Sequence, residues 1–155
     1  MIGQCTCGAC AFRLTRAPIV THACHCTWCQ RETGGAFAIN AVVETTSVEM
    51  LKGAPVTFAM PSQSGKGQVL HRCSDCGVTL WSNYAGSGPA MAFVRVGTLE
   101  PGHGIVPDVH IFTSTKLPWV PLPEGAAVYE EFYSPPDVWG AEGLARFRAA
   151  REAWV

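Results

Sequence analysis

Short apolar or alternating runs, each bounded by turn residues, recur along most of the chain. Six of them have the length and patterning of β-strands: residues 11–15, 37–43, 56–60, 68–72, 90–96 and 109–113. The 16 glycines and 11 prolines of the sequence punctuate these runs. Many short strands with frequent turns predict a mainly β domain, built as a sandwich or a folded sheet.

Two segments have helical patterning. Residues 28–33 predict one helical turn, and residues 140–154 carry one apolar stripe, formed by Leu144, Phe147, Ala150 and Trp154. The stripe predicts an amphipathic helix that docks on the body of the protein. Alternatively, the helix covers a partner subunit and supports a homo-oligomer. We therefore divide the chain into a domain over residues 1–133 and a C-terminal extension over residues 134–155.

Composition and charge narrow the function. The length of 155 residues suits one domain. A net charge of −1 without any Lys/Arg run lacks the basic footprint of a nucleic-acid binder. No stretch has the roughly 18 apolar residues of a membrane span, and the first ten residues do not resemble a signal peptide. We expect a cytoplasmic protein that binds neither nucleic acid nor membrane.

The chemistry of the sequence lies in its eight cysteines. They fall in three close groups: CTCGAC at residues 5–10, CHCTWC at residues 24–29 and CSDC at residues 73–76. In a reducing compartment such spacings indicate metal binding rather than disulfides, and zinc is the usual ion for thiolate ligands. Glycine after a cysteine pair lets backbone amides face the sulfurs.

Spacing alone does not divide the sulfurs between metal ions. Two closed sites of four ligands each would make a scaffold. A division of four and three would leave one ion with a free coordination position, which is the arrangement of a catalytic site.

Three motifs, taken together, resemble one family. They are GxCxCGxCxF from Gly3 to Phe12, CHCxxCxxxTGxxF from Cys24 to Phe37, and RCSDCG from Arg72 to Gly77, followed by HIFTSTKLPW at residues 110–119. This order resembles the glutathione-dependent formaldehyde-activating enzyme family, which includes centromere protein V. The resemblance implies a β-tent fold of short antiparallel sheets with zinc knuckles.

The same resemblance implies two zinc ions per chain and a ligand set for each. The structural zinc would take Cys5, Cys7, Cys73 and Cys76, and the catalytic zinc would take Cys24, Cys26 and Cys29. Cys10 would be a free, buried thiol.

The activity that the resemblance implies is that of a carbon–sulfur lyase acting on a thiol–aldehyde adduct, such as S-hydroxymethylglutathione. The small-molecule partner would then be a thiol, with glutathione as the example. Because a proton must move, we consider His25, His110 and Lys116 as candidate catalytic residues. Trp28 and Trp119 are candidates for a substrate wall, although packing in the core is the favoured interpretation for both.

Two other classes of function remain open. The chain could be a zinc-stabilised binding module without catalysis, which would need a basic or broad apolar contact surface. It could also be a metal-thiolate chaperone or a redox sensor, although zinc normally occupies such thiols.

Overall fold

The structure is a computed structural model that describes residues 1–154, so residue 155 of the predicted extension lies outside it. Its strands are Ile2–Gln4 (β1), Ala11–Leu14 (β2), Val20–Cys24 (β3), Ala38–Glu44 (β4), Val48–Lys52 (β5), Val56–Met60 (β6), Gln68–Arg72 (β7), Thr79–Tyr84 (β8), Met91–Arg95 (β9), Val109–Ile111 (β10) and Ala127–Val128 (β11). Its helices are Thr27–Thr33 (α1), Pro135–Val138 (α2) and Gly140–Glu152 (α3). Within the described residues, no helix has the length and apolar character needed to cross a membrane.

The prediction of a mainly β protein with a C-terminal helix is confirmed. Each of the six predicted runs forms a strand with ends within two residues of the predicted ones, and α1 begins one residue earlier than predicted. The sequence analysis missed β1, β3, β5, β8 and β11.

The strands form two sheets. A three-stranded sheet has the order β1-β2-β5, and an eight-stranded sheet has the order β11-β10-β3-β4-β9-β8-β7-β6. The strand pairs are antiparallel, as expected, except at one edge, where β10 pairs in parallel with both β3 and β11. The connections leading to β10 and to β11 are long enough to return the chain in the same direction, as parallel pairing requires.

The large sheet is covered on both faces, and each face buries one hydrophobic cluster. Along β9, Ala92 and Val94 belong to the cluster that contains Cys5 and Cys73. Met91 and Phe93 belong to the cluster that contains Cys24, Cys26 and Cys29. Because side chains alternate between the faces of a strand, the sheet separates the two groups of cysteines.

The C-terminal helix docks on its own chain. Leu144, Phe147 and Ala150 pack against the second cluster, as the apolar stripe predicts. Gly143 allows close approach, since an added Cβ would lie 2.6 Å from a methyl carbon of Ile19. Trp154, the fourth residue of the predicted stripe, is instead 49% exposed, because α3 ends at Glu152.

An ion pair connects α3 to the centre of the large sheet. The Arg146 guanidinium donates to both carboxylate oxygens of Glu44, at 2.8 and 2.6 Å, and Arg16 donates to one of them at 2.7 Å. Burial by itself would raise the pKa of Glu44, but the hydrogen bonds and charge of Arg146 outweigh it, so this pKa lies below its usual value. The ionised Glu44 therefore stabilises the folded state above its unfolded pKa, and this contribution is lost as the pH falls through the lowered folded value.

We expect Arg146→Met to lower the free energy of unfolding by about 2 kcal/mol at pH 7.5, because Glu44 keeps only Arg16 as a charged partner. The loss should shrink in acid, where protonated Glu44 no longer needs a cation. Urea denaturation at pH 7.5 and pH 4 measures both values. Arg148→Met, on the exposed side of the same helix, is the matched control. A deficit for Arg146→Met that is equal at the two pH values would contradict this account.

Candidate metal centres and active site

Four cysteines from two distant turns meet beside the first hydrophobic cluster. Cys5 and Cys7 lie between β1 and β2, and Cys73 and Cys76 lie between β7 and β8. The Cys7 sulfur lies 3.5 Å from that of Cys5 and 3.7 Å from that of Cys73, and all four sulfurs lie within 4.8 Å of one another. This group, here called the four-sulfur group, ties the N-terminus to a hairpin 66 residues later.

The two turns of the four-sulfur group have matching backbone geometry. Gly8, at φ 71°, donates its N–H to the carbonyl of Cys5, and Gly77, at φ 73°, donates to the carbonyl of Cys73. This left-handed conformation suits glycine and turns later backbone amides toward the sulfurs. The Cys10 amide donates to the Cys5 sulfur at 3.3 Å. Such amides stabilise thiolates, so the donor set fits a tetrahedral zinc ion.

The other three cysteines meet beside the second hydrophobic cluster, where β3 leads into α1. Cys24 ends β3, Cys26 is the N-cap of α1, and Cys29 lies in the first turn of that helix. Their sulfurs lie within 4.8 Å of one another, and all three residues are buried. The Cys29 amide donates to the Cys26 sulfur at 3.3 Å, which both caps the helix and orients the sulfur. We call this the three-sulfur group.

The three-sulfur group favours a thiolate at one position. Hydrogen bonds from Cys24 and Cys29, with further donation from the backbone amides of Cys29 and Trp28, lower the pKa of Cys26 to about 3 despite burial. The pKa of Cys24 is raised, because its neighbours Cys26 and Cys29 compete for the negative charge. Three thiolates this close repel one another unless a cation is bound among them.

The two groups differ in the number of sulfurs they offer. Among residues 1–154, no fourth cysteine, histidine or carboxylate joins Cys24, Cys26 and Cys29. Cys10 is buried in the first cluster and belongs to neither group. Burial raises the pKa of Cys10 to about 11, so its thiol is protonated near neutral pH. A divalent ion at the three-sulfur group would retain one position for another ligand.

The three-sulfur group lines a cavity of about 360 Å³, which we call the site cavity. Trp28 lines it as well, while Trp119 is 73% exposed and contributes neither to the cavity nor to the core. Aromatic rings form one wall, and the polar loop between β6 and β7 forms the other, with Lys66 on it. A cavity of this size and mixed polarity is typical of small-molecule sites.

A buried histidine that the sequence analysis did not select lines the site cavity. His22 is 1% exposed, and its Nε2 is hydrogen-bonded to the hydroxyl of Tyr133. The Trp139 indole N–H donates to the same hydroxyl at 2.6 Å. That oxygen accepts from Trp139 and shares a second hydrogen bond with His22. The three side chains form one fixed chain of hydrogen bonds.

A buried cation lies on the sheet next to the three-sulfur group. Arg95 is 6% exposed, donates to the side chain of Asn40 and donates to Glu32 at 3.2 Å. Burial alone would lower its pKa, but the neighbouring Tyr84 and Glu32 raise it above its usual value, so the guanidinium stays charged. Three thiolates carry one more negative charge than a divalent ion neutralises. Arg95 supplies positive charge next to the three-sulfur group.

The three predicted catalytic residues lie outside the lining of the site cavity. The His25 and His110 rings are stacked, with 3.0 Å between Nε2 of His25 and Nδ1 of His110. Thr115 donates to the carbonyl oxygen of His25, and the Lys116 ammonium donates to backbone carbonyls at residues 117 and 120. These contacts brace the loop that carries Cys24 and Cys26, so a catalytic role for these residues stays a prediction.

The strand pattern contains a signal for His22 that the sequence analysis did not use. Had β3 been recognised as a strand, its alternation would have placed His22 on the same face as Cys24. Tyr133 has no comparable signal, because 111 residues separate it from His22.

The fold and the two sulfur groups define a small β protein with one four-cysteine and one three-cysteine group, each of which could hold a metal ion. The family model described as "Glutathione-dependent formaldehyde-activating enzyme" matches residues 1–115, and the chain belongs to this family. A crystal structure of a Rhodobacter sphaeroides protein resembles it with a TM-score of 0.51 and 21% identity, over 83% of this chain and 99% of the other. That likeness supports the fold alone. No curated protein sequence matches the chain.

We expect the two sulfur groups to respond differently to the loss of one ligand. Cys26→Ser should lose about one zinc ion per chain and keep the fold, because the second hydrophobic cluster remains. Cys73→Ser should unfold the protein, since a structural zinc contributes about 10–16 kcal/mol, comparable to the whole stability of a domain. Zinc analysis and circular dichroism of the purified variants measure both effects.

Cys10→Ala is the control for the zinc analysis, because Cys10 is a buried thiol outside both groups. It should retain the full zinc content. Loss of zinc from Cys10→Ala, or unfolding of Cys26→Ser, would contradict the division into four and three.

Proposed function

We propose that this protein is a zinc-dependent carbon–sulfur lyase that reversibly joins a thiol to an aldehyde. Membership of the family supports chemistry that involves glutathione and formaldehyde. The observation that carries the proposal is the incomplete set of sulfur ligands. Three buried cysteines line a cavity, and no fourth protein ligand joins them among residues 1–154. A scaffold site has no need of a cavity or of a free position.

In this proposal each part of the site has a separate role. Cys24, Cys26 and Cys29 would hold the ion, which when bound supplies Lewis acidity that favours the thiolate form of a thiol in its coordination shell. The aromatic wall excludes water around the reacting carbon. The Arg95 guanidinium offsets the excess negative charge of the three cysteines.

The reaction also moves one proton. When a thiol adds to an aldehyde, the carbon–sulfur bond forms and the thiol proton ends on the former carbonyl oxygen. Among the described residues that line the site cavity, His22 carries the one imidazole, and we assign the transfer to it. Burial lowers the pKa of His22 to about 3, so the ring is neutral at rest and passes the proton on rather than keeping it. Tyr133 and Trp139 fix the orientation of the ring through the hydrogen bonds described above.

The location and partners follow from the same proposal. We propose a cytoplasmic protein that acts on a small thiol, because eight free cysteines without a disulfide suit a reducing compartment. The net charge of −1 argues against nucleic acid as a partner. A homo-oligomer through the C-terminal helix stays a prediction. Docking of α3 on its own chain uses most of the apolar stripe.

The proposal is tested by mixing formaldehyde, glutathione and the zinc-loaded protein and following adduct formation by NMR exchange. We expect acceleration over the protein-free reaction, and loss of that acceleration in Cys26→Ser, because no ion then binds at the cavity. His22→Gln should reduce kcat by about 10²-fold to 10⁴-fold, the usual contribution of a proton-transfer group. A rate equal to that of the protein-free control would favour the alternative of a non-catalytic binding module.

The catalytic residues predicted from the sequence provide further variants for this assay. His110→Gln and Lys116→Met should change kcat less than about tenfold, because neither side chain lines the site cavity. A loss in either variant as large as that of His22→Gln would support the catalytic role predicted from the sequence.

A further inference from the structure

The aromatic wall of the site cavity extends beyond the part of the chain that defines the family. The family model ends at residue 115, whereas Phe132 lies in the segment that follows β11 and lines the cavity together with Phe112 and Phe93. The ring of Phe132 stacks on that of Tyr133, with centroids 4.5 Å apart, and meets the His22 ring edge to face at 5.7 Å. Part of the cavity surface therefore comes from residues beyond the family match.

The segment that carries Phe132 is held firmly in place. The amide of Phe112 donates to the carbonyl of Glu131 at 3.1 Å, and the amide of Tyr129 donates to the carbonyl of His110 at 2.9 Å. Tyr133 is fixed by its bonds to His22 and Trp139. Phe132 is nevertheless 45% exposed, so a large part of its ring is free for another apolar group to contact.

Backbone strain marks the same wall. Phe112 has φ 54°, and it is the one residue other than glycine with a positive φ among the described residues. A bulky side chain in this conformation costs of order 1–3 kcal/mol and persists where the surroundings enforce it, commonly at ligand sites. The ring of Phe112 lies in the cavity wall, 6.3 Å from the ring of Phe132.

The lining of the cavity therefore has two kinds of surface beside the three cysteines. Aromatic rings form one, while serine and glutamine side chains with Lys66 form the other. A thiol carried by a polar peptide matches the polar residues of the lining. The hydroxymethyl group of a formaldehyde adduct has no hydrocarbon chain that could contact the aromatic rings.

We infer that the wall of Phe112 and Phe132 receives a hydrocarbon substituent of the aldehyde, so that this protein prefers adducts of aliphatic or aromatic aldehydes over the adduct of formaldehyde. The inference rests on the proposed function and specifies its substrate class. The reaction is balanced without a further reactant: the thiol sulfur bonds to the carbonyl carbon, and its proton passes to the carbonyl oxygen. Cleavage is the reverse.

The first experiment compares the rates at which the glutathione adducts of hexanal and of formaldehyde are cleaved. Each rate is divided by the concentration of adduct present. Wild type should show kcat/KM at least about tenfold higher for the hexanal adduct, since several methylenes are removed from water. Phe132→Ala should remove most of this preference, read as the ratio of the two kcat/KM values within the same variant, and Phe132→Leu should retain most of it.

Phe58→Ala is the matched control, because Phe58 on β6 is 51% exposed and does not line the site cavity. It should leave both rates unchanged. Cleavage of the formaldehyde adduct without a preference for hexanal would overturn the inference while the proposed function stands. An equal loss of preference in Phe58→Ala would overturn it as well.

The second experiment measures binding without turnover. In calorimetry, S-hexylglutathione should bind wild type at least about tenfold more tightly than S-methylglutathione, and Phe132→Ala should lose this difference. If this difference is seen but neither aldehyde adduct is cleaved, the proposed lyase function fails while the apolar wall stands. A difference below tenfold, including no binding of either compound, overturns the inference.

Discussion

Seven cysteine sulfurs lie in two groups, and within each group all sulfurs lie within 4.8 Å of one another. Thiolates at that distance repel one another unless a cation lies among them. This electrostatic constraint organises the molecule. One group joins two distant turns and offers four ligands, while the other lies where a strand meets a short helix and offers three. In the proposed function, this difference of one sulfur separates a site for folding from a site for chemistry.

The large sheet makes that separation possible. Because β4 and β9 are covered on both faces, their alternating side chains supply two distinct hydrophobic clusters, with one sulfur group in each. Loss of an ion on one face need not disturb the packing on the other. Residues beyond the family match also contribute to the site. Phe132 lines the site cavity, and Tyr133 is hydrogen-bonded to His22.

The cysteine spacings and glycine positions carried most of what the sequence could reveal. CxC and CxxC pairs followed by glycine encode the turns of the four-sulfur group locally. The division of the cysteines into two groups came from the family resemblance, because spacing alone left it open. Strands such as β6 and β7 also have local signals. By contrast, β3 was missed because Thr21 and His22 interrupt its apolar run, although both are buried. Their burial depends on partners far along the chain, among them Asp108 and Tyr133.

The proton-transfer residues predicted from the sequence keep that role as a prediction, but their positions depend on distant contacts. His25, His110 and Lys116 were selected for their closeness in sequence to the motifs, yet the chain turns sharply between Cys24 and Cys26, and His25 contacts the ring of His110 instead of lining the cavity. Proximity in sequence to a metal ligand does not determine which side of the site a side chain occupies. That depends on pairing between β3 and β10, a contact that no local pattern encodes.

The central claim is that one centre is saturated with protein sulfur and the other is not. X-ray absorption at the zinc edge of the protein loaded with two zinc ions measures the sulfur coordination directly. We predict an average between three and four sulfurs per zinc, with a lighter atom completing one shell, and a rise to four sulfurs when glutathione is added. Four sulfurs per zinc before any thiol is added would contradict the account.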